Sequence, residues 1–256
     1  MASTTAWPTW VMYEQMSSLH DVGLATRANG FEGLDAEMNL GHPFFLKQTS
    51  MLLEMQRAGD FTYGGRDGAG GAAFPAGQAA ISFNSSAARA QIERDARFRW
   101  ASVVLPYHDD VIAAPRNGVI GGASLWVFTA RNRTAEEYRG VAEFFRFISD
   151  VEQDKWWHQV TGYVPLTLAA YEASRAEGYY ERNPGADAAI IQLSRAEPTP
   201  NSQGFRLGGC VEIRNILQEE LERGFQGQQD AATAMANANR RANVVLRNFE
   251  RANRRS

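Results

Sequence analysis

Four histidines, His20, His42, His108 and His158, are the side chains here best suited to proton transfer or metal ligation, and no two of them stand at a ligand spacing. The zinc pattern HExxH is missing, and ordinary polar histidines are the simpler reading. Cys210 is the only cysteine, which leaves no intramolecular disulfide and no cysteine-based zinc site. Ser85 and Ser86 stand in Asn84-Ser85-Ser86-Ala87, not in the Gly-x-Ser-x-Gly turn of a serine hydrolase. The five glycines between Gly64 and Gly71 form neither GxGxxG nor a Walker motif and read as a mobile loop. Glu136-Glu137 and Glu219-Glu220 fall on expected helices, where caps and solvated faces account for them. No catalytic residue, metal or cofactor is expected. Trp7-Pro8-Thr9-Trp10 is different. Two indoles around a proline suit stacking on the C–H face of a sugar or polyol, or equally a hydrophobic anchor.

The elements that must position these residues alternate. Pro43 to Ala58 carries apolar residues at helical spacing and stops at Gly59-Asp60. Ala79 to Phe83 reads as a strand, followed by a helix from Ala87 to Ala96 that Asn84-Ser85-Ser86 is suited to cap. Arg97 to Leu105 and Val119 to Thr129 read as two further strands, the second with Gly121 and Gly122 inside it, as at a bulge or a close backbone approach. Thr134-Ala135-Glu136-Glu137 fits a capping box. Asp150 and Thr167 suit two more helix starts, the first helix running through Val160 to a turn at Thr161–Pro165, the second from Leu168 to Ala176. Asn183-Pro184-Gly185 breaks the chain, and helices close it at about Cys210 to Phe225 and Gln229 to Asn253. The pattern is α/β with a helical C-terminal part.

Composition bounds the class. The 256 residues, 44% hydrophobic and 21% charged, exclude a collagen, a coiled coil and a disordered chain. The net charge of −3 gives no bulk attraction to nucleic acid. It is uneven: Arg240 to Ser256 carries +5 and the rest −8. A basic end on the last helix suits its dipole and is more simply a solvated helix end than a binding patch. No apolar run approaches the roughly 20 residues of a membrane helix, and Met1 to Trp10 has no secretory signal pattern.

Several segments, in order, carry a resemblance. They are Asn29-Gly30-Phe31-Glu32-Gly33, Val119-Ile120-Gly121-Gly122-Ala123-Ser124-Leu125-Trp126-Val127, and Trp157-His158-Gln159 with Thr161-Gly162-Tyr163. Tyr180 to Asp187, Arg206-Leu207-Gly208-Gly209, Ile213-Arg214 and Glu219-Glu220-Leu221-Glu222 complete the set. From Trp7 to the C-terminus the chain resembles the sn-glycerol-3-phosphate-binding proteins of bacterial ABC importers, members of the extracellular solute-binding proteins. The resemblance implies a type II periplasmic binding fold of two lobes closing on ligand by a hinge. It implies that Trp7 and Trp10 pack around a glycerol moiety, that Ser85 and the Gly122 backbone line the cleft, and that Tyr163 and Arg214 face a phosphate. An arginine fork meets a phosphate with charge-assisted donors, and a glycine admits close backbone approach. Taken without the family, Arg214 is a surface ion pair, Tyr163 a core residue and Ser85 a plain cap.

In that family a signal peptide and most of a first lobe precede the paired tryptophans. The expectation is therefore a truncated form, residues 1–30 a residual inter-lobe segment and residues 31–256 the second, C-terminal lobe. The family implies a periplasmic location, whereas the chain as written would stay cytoplasmic. Expected partners are sn-glycerol 3-phosphate or a related small polyol phosphate and the importer's membrane subunits. A homo-oligomer covering the open cleft wall is a further expectation. Two alternatives stand beside this: an orphan lobe acting as an interaction module, and a binding protein for an oligosaccharide. An enzyme such as a glycosidase would need two carboxylates converging in the cleft.

Overall fold

A computed structural model describes residues 2–254. Met1 and the last two residues of the basic run, Arg255 and Ser256, lie outside the described residues. The helices begin where side chains accept the free N–H groups of a first turn. Thr134 and Glu137 form a reciprocal capping box on helix Ala135–Ile148. Asp150 caps Val151–Thr161, Thr167 caps Leu168–Ala176 and Asp230 caps Ala231–Asn253. Helix Pro43–Ala58 opens on a proline, which has no N–H to satisfy, and closes on Gly59 in the left-handed region. All of these follow the sequence expectation, as does helix Cys210–Phe225. The short helices Tyr179–Arg182 and Ala188–Leu193 were not anticipated.

The sheet is small. Strands β1 (Ser3–Thr5), β2 (Phe61–Tyr63) and β3 (Ile81–Phe83) run parallel in the order β2-β1-β3, with Ser3 opposite both Phe61 and Ile81. Parallel neighbours need crossovers, and the first is built from the Trp10–Leu19 helical stretch and helix Pro43–Ala58. β3 occupies the end of the expected Ala79–Phe83 strand, while β1 was not anticipated.

Two expected strands are absent. Arg97–Leu105 and Val119–Thr129 form no ladder. Their residue types suit strands, but a strand exists only where a neighbour supplies its hydrogen bonds. The glycine run 64–71 is also corrected. It is not a free loop: a 3-10 turn, Ala69–Ala73, folds it onto the end of β1, where a Cβ on Gly70 would lie 2.1 Å from the Thr5 carbonyl oxygen.

The core joins the two ends of the chain. Val11, Tyr13, Leu19, Phe45 and Phe61 are buried against Ile213, Leu217, Leu221 and Met235. Each such side chain contributes about 1.5–3 kcal/mol through the area it removes from water. Ala234, Ala238 and Ala242 recur on one face of the last helix, fully buried, and their small size lets helix Cys210–Phe225 approach closely. Arg241 then ties the two helices through Glu219 and Glu220.

Candidate functional site

The end of β1 opens into a cleft of about 2030 Å³. Trp7 stands at its rim, 45% exposed, with a φ of 52°. A non-glycine residue in that region is strained, by roughly 1–3 kcal/mol, and such strain concentrates at functional sites. Trp10 begins a π-helical turn, Trp10–Gln15, which runs on as helix Met16–Leu19. The tryptophan pair thus leads directly into a helix, which the sequence did not suggest. Trp10 packs closely on the backbone at Gly121: a Cβ there would come within 2.5 Å of its ring. Gly122 lines the same cleft at φ 132° with nothing within 4 Å of its missing side chain, so its backbone is open to a ligand.

One helical turn after Trp10, Glu14 enters the cleft wall almost fully buried. Arg214, on helix Cys210–Phe225, donates to it in a fork, Nε to Oε1 at 2.6 Å and Nη2 to Oε2 at 2.5 Å. The carboxylate raises the guanidinium pKa, while burial pushes the Glu14 carboxyl up and Arg214 opposes that. Nη1 of Arg214 makes no hydrogen bond among the described residues, and the side chain stays 42% exposed, which leaves one edge for an anion. Arg214 is therefore both an ion-pair partner and a cleft residue.

Ser85 and Tyr163 also line the cleft. Ser85 caps a 3-10 turn, Ser86–Ala88, accepting from the Ala87 N–H at 3.3 Å, and helix Arg89–Asp95 follows. The expected helix from Ala87 is thus a single tight turn first, with little dipole to offer. Gly162, left-handed at φ 80°, ends helix Val151–Thr161 and packs on Ser86, where a Cβ would lie 2.6 Å from the carbonyl oxygen. That contact sets Tyr163 beside the serine turn. Below it, buried His158 donates from Nδ1 to the Tyr163 carbonyl at 2.5 Å, and its Nε2 pairs with the Tyr180 hydroxyl at 3.0 Å. Burial lowers the His158 pKa. Buried Asp154 accepts from the N–H groups of Leu166 and Thr167 at 2.8 and 2.9 Å.

All six residues singled out from the sequence, Trp7, Trp10, Ser85, Gly122, Tyr163 and Arg214, line this one cleft. Its charged lining is four arginines, Arg89, Arg99, Arg195 and Arg214, against Glu14 alone. Arg89 stacks its guanidinium on Trp100 at 4.9 Å, and its Nε and Nη1 are buried without a partner among the described residues. Glu14 and Arg89 were missed, whereas Gly121 makes the close backbone approach expected of the glycine pair. Glu14 stands four residues after Trp10, a one-turn spacing that places both on a single helix face.

Residues 4–188 match the family described as bacterial extracellular solute-binding protein. The chain belongs to that family. Among curated relatives, the sn-glycerol-3-phosphate-binding periplasmic protein UgpB of Yersinia pseudotuberculosis is 40% identical over 98% of this chain. That of Salmonella typhimurium is also 40% identical over 98%. This solute-binding protein chain spans 56% of the first relative and 57% of the second, a little over half their length. Two solved structures share the fold over 96% of the chain. UgpB of Mycobacterium tuberculosis in complex with glycerophosphocholine has a TM-score of 0.71 at 17% identity. The cyclic alpha-maltosyl-1,6-maltose binding protein of Arthrobacter globiformis has 0.70 at 18%. The chain covers 58% and 60% of those two. The small parallel sheet with many helices is thus part of a type II periplasmic binding fold.

Proposed function

We propose that this chain is the solute-binding part of an ABC importer component for sn-glycerol 3-phosphate or a related glycerophosphodiester, acting in the periplasm with the importer's membrane subunits. The observation that carries it is one cleft in which a tryptophan pair faces a lining of four arginines and one glutamate. Indole faces suit the C–H surface of a glycerol unit. Arginine N–H groups suit a phosphate, each such charged hydrogen bond contributing about 1.5–3 kcal/mol. Trp7, Trp10 and Gly122 take the glycerol end in this proposal, and Ser85, Tyr163 and Arg214 the phosphate. Binding is the reaction, with no bond made or broken.

The cleft exceeds the roughly 300–1,000 Å³ of ordinary ligand pockets, so one small polyol phosphate leaves much of the 2030 Å³ open. A micromolar or weaker Kd is therefore expected. Calorimetry with sn-glycerol 3-phosphate tests this, with glycerophosphocholine and maltotriose alongside. Binding of the two phosphates, weakened tenfold or more in Arg214→Ala, is the expected result. Tight maltotriose binding without phosphate binding would replace it with an oligosaccharide role. No binding of any of the three would favour an interaction module.

A further inference from the structure

The four arginines of the cleft are not equivalent. Arg214 meets the Glu14 carboxylate in a fork, which cancels most of its charge where it stands. It offers an anion a donor but little net attraction. Arg89, Arg99 and Arg195 make no ion pair among the described residues. Arg99 is exposed, whereas Arg89 is partly withdrawn from water: its Nε and Nη1 are buried with no partner among the described residues. Its Nη2 reaches the Asn183 side-chain oxygen at 3.4 Å, beyond the usual hydrogen-bond range. One face of the guanidinium lies over the Trp100 ring, 4.9 Å from its centre. Stacking occupies a face and leaves the N–H edges without acceptors. A buried cation with orphaned donors is unfavourable until an acceptor arrives.

The place of Arg89 in the fold says which acceptor that is. It opens helix Arg89–Asp95, directly after the turn that Ser85 caps. A Cβ on Gly162 would lie 2.9 Å from the Arg89 Cβ, so Arg89 packs against the residue that precedes Tyr163. It thus stands with Ser85 and Tyr163, at the end of the cleft assigned above to the phosphate, and its charge is uncancelled. We propose that Arg89 is a ligand-binding residue that gives this cleft its preference for an anionic over a neutral polyol. Its buried nitrogens are closed to a solute where they stand. On binding, the guanidinium therefore slides over the Trp100 face, leaves the long Asn183 contact and donates to a phosphate oxygen. Arg89 and Trp100 both line the cleft, so the movement stays within its wall. This assignment rests on the polyol-phosphate reading of the cleft and adds to it the cation that supplies net charge.

The test combines calorimetry with NMR of the arginine Nε–H groups, using sn-glycerol 3-phosphate on the unmodified chain, Arg89→Met and Arg89→Lys. The Arg89 signal is the one that both variants lack. In Arg89→Met the Kd should rise roughly tenfold or more, the worth of one charge-assisted hydrogen bond. Arg89→Lys keeps the charge and should stay within about threefold of the unmodified chain. The Arg89 Nε–H signal should shift as sn-glycerol 3-phosphate is added, and uncharged glycerol should leave it in place. Three results overturn the assignment while the unmodified chain still binds: a Kd in Arg89→Met within about twofold of the unmodified chain, Arg89→Lys as weak as Arg89→Met, or a signal unmoved at saturation. Should Arg89→Met fail to fold, Arg89→Lys identifies the signal and its shift decides. An unmodified chain that binds no sn-glycerol 3-phosphate overturns the ligand reading itself, and this assignment with it.

Discussion

At the residue scale, Arg214 holds a buried carboxylate while one of its nitrogens stays free. The two duties separate by mutation. Arg214→Ala strands the Glu14 carboxylate in the wall without a partner, which costs about 1–3 kcal/mol on top of the lost ligand contact. Glu14→Gln with Arg214→Met removes both charges, and urea unfolding should return most of that stability while calorimetry still finds no phosphate binding. The neighbouring glycines differ in the same testable way. Gly121→Ala drives a methyl into the Trp10 ring, 2.5 Å away, so it should shift tryptophan emission and weaken binding. Gly122→Ala meets no atom but holds φ at 132°, so its effect is strain, roughly 1–3 kcal/mol, with Trp10 unmoved. Trp7 and Trp10 stood out because two indoles flank a proline there, whereas Arg214 was singled out by the family resemblance and read alone as a surface ion pair. Glu14 did not stand out, because a glutamate on a helix reads as solvated and only the fold brings Arg214 to it.

Elements set the second scale. Tyr163 is held by a turn whose fastenings, His158 and Asp154, lie underneath it. Burial depresses the His158 pKa below its ordinary 6.5, Asp154 acts in the opposite direction and Arg89 in the same one. The unfolded chain therefore takes up a proton first as pH falls. The stability that neutral His158 contributes is complete above about pH 6.5 and declines below it, through the lower folded pKa. Phosphate binding should weaken over that acid range, and a His158→Gln variant should flatten the profile; an unchanged profile in the variant would show that the turn does not depend on His158. Helix starts are a simpler matter. Thr134→Ala should cost about 1 kcal/mol in thermal unfolding through loss of its capping box, with no effect on ligand. Capping is local, which is why Thr134, Asp150 and Thr167 could be read from sequence. Strand pairing is not, and Arg97–Leu105 and Val119–Thr129 show the difference: their residue types suit strands, but no ladder forms on them among the described residues.

For the whole molecule, the parallel sheet and the packing of Val11 to Phe61 on the last two helices decide how the chain holds together. The sequence pattern indicated the class, α/β with closing helices, but not β1, because three residues of Ser-Thr-Thr have no strand signature until β2 and β3 flank them. A chain stopped after residue 208 loses Ile213, Leu217, Leu221 and Met235 from the core, and should show no cooperative unfolding transition by circular dichroism. That dependence also sets a schedule. Glu14 and Arg214 are 200 residues apart. At roughly 5–20 residues per second of synthesis, the first helices wait about 10–40 s for the partners that bury them. During that interval Val11, Tyr13, Leu19 and Phe45 are unsheltered on the ribosome. A stall before residue 210 would hold the nascent chain in its most protease-sensitive and chaperone-dependent form.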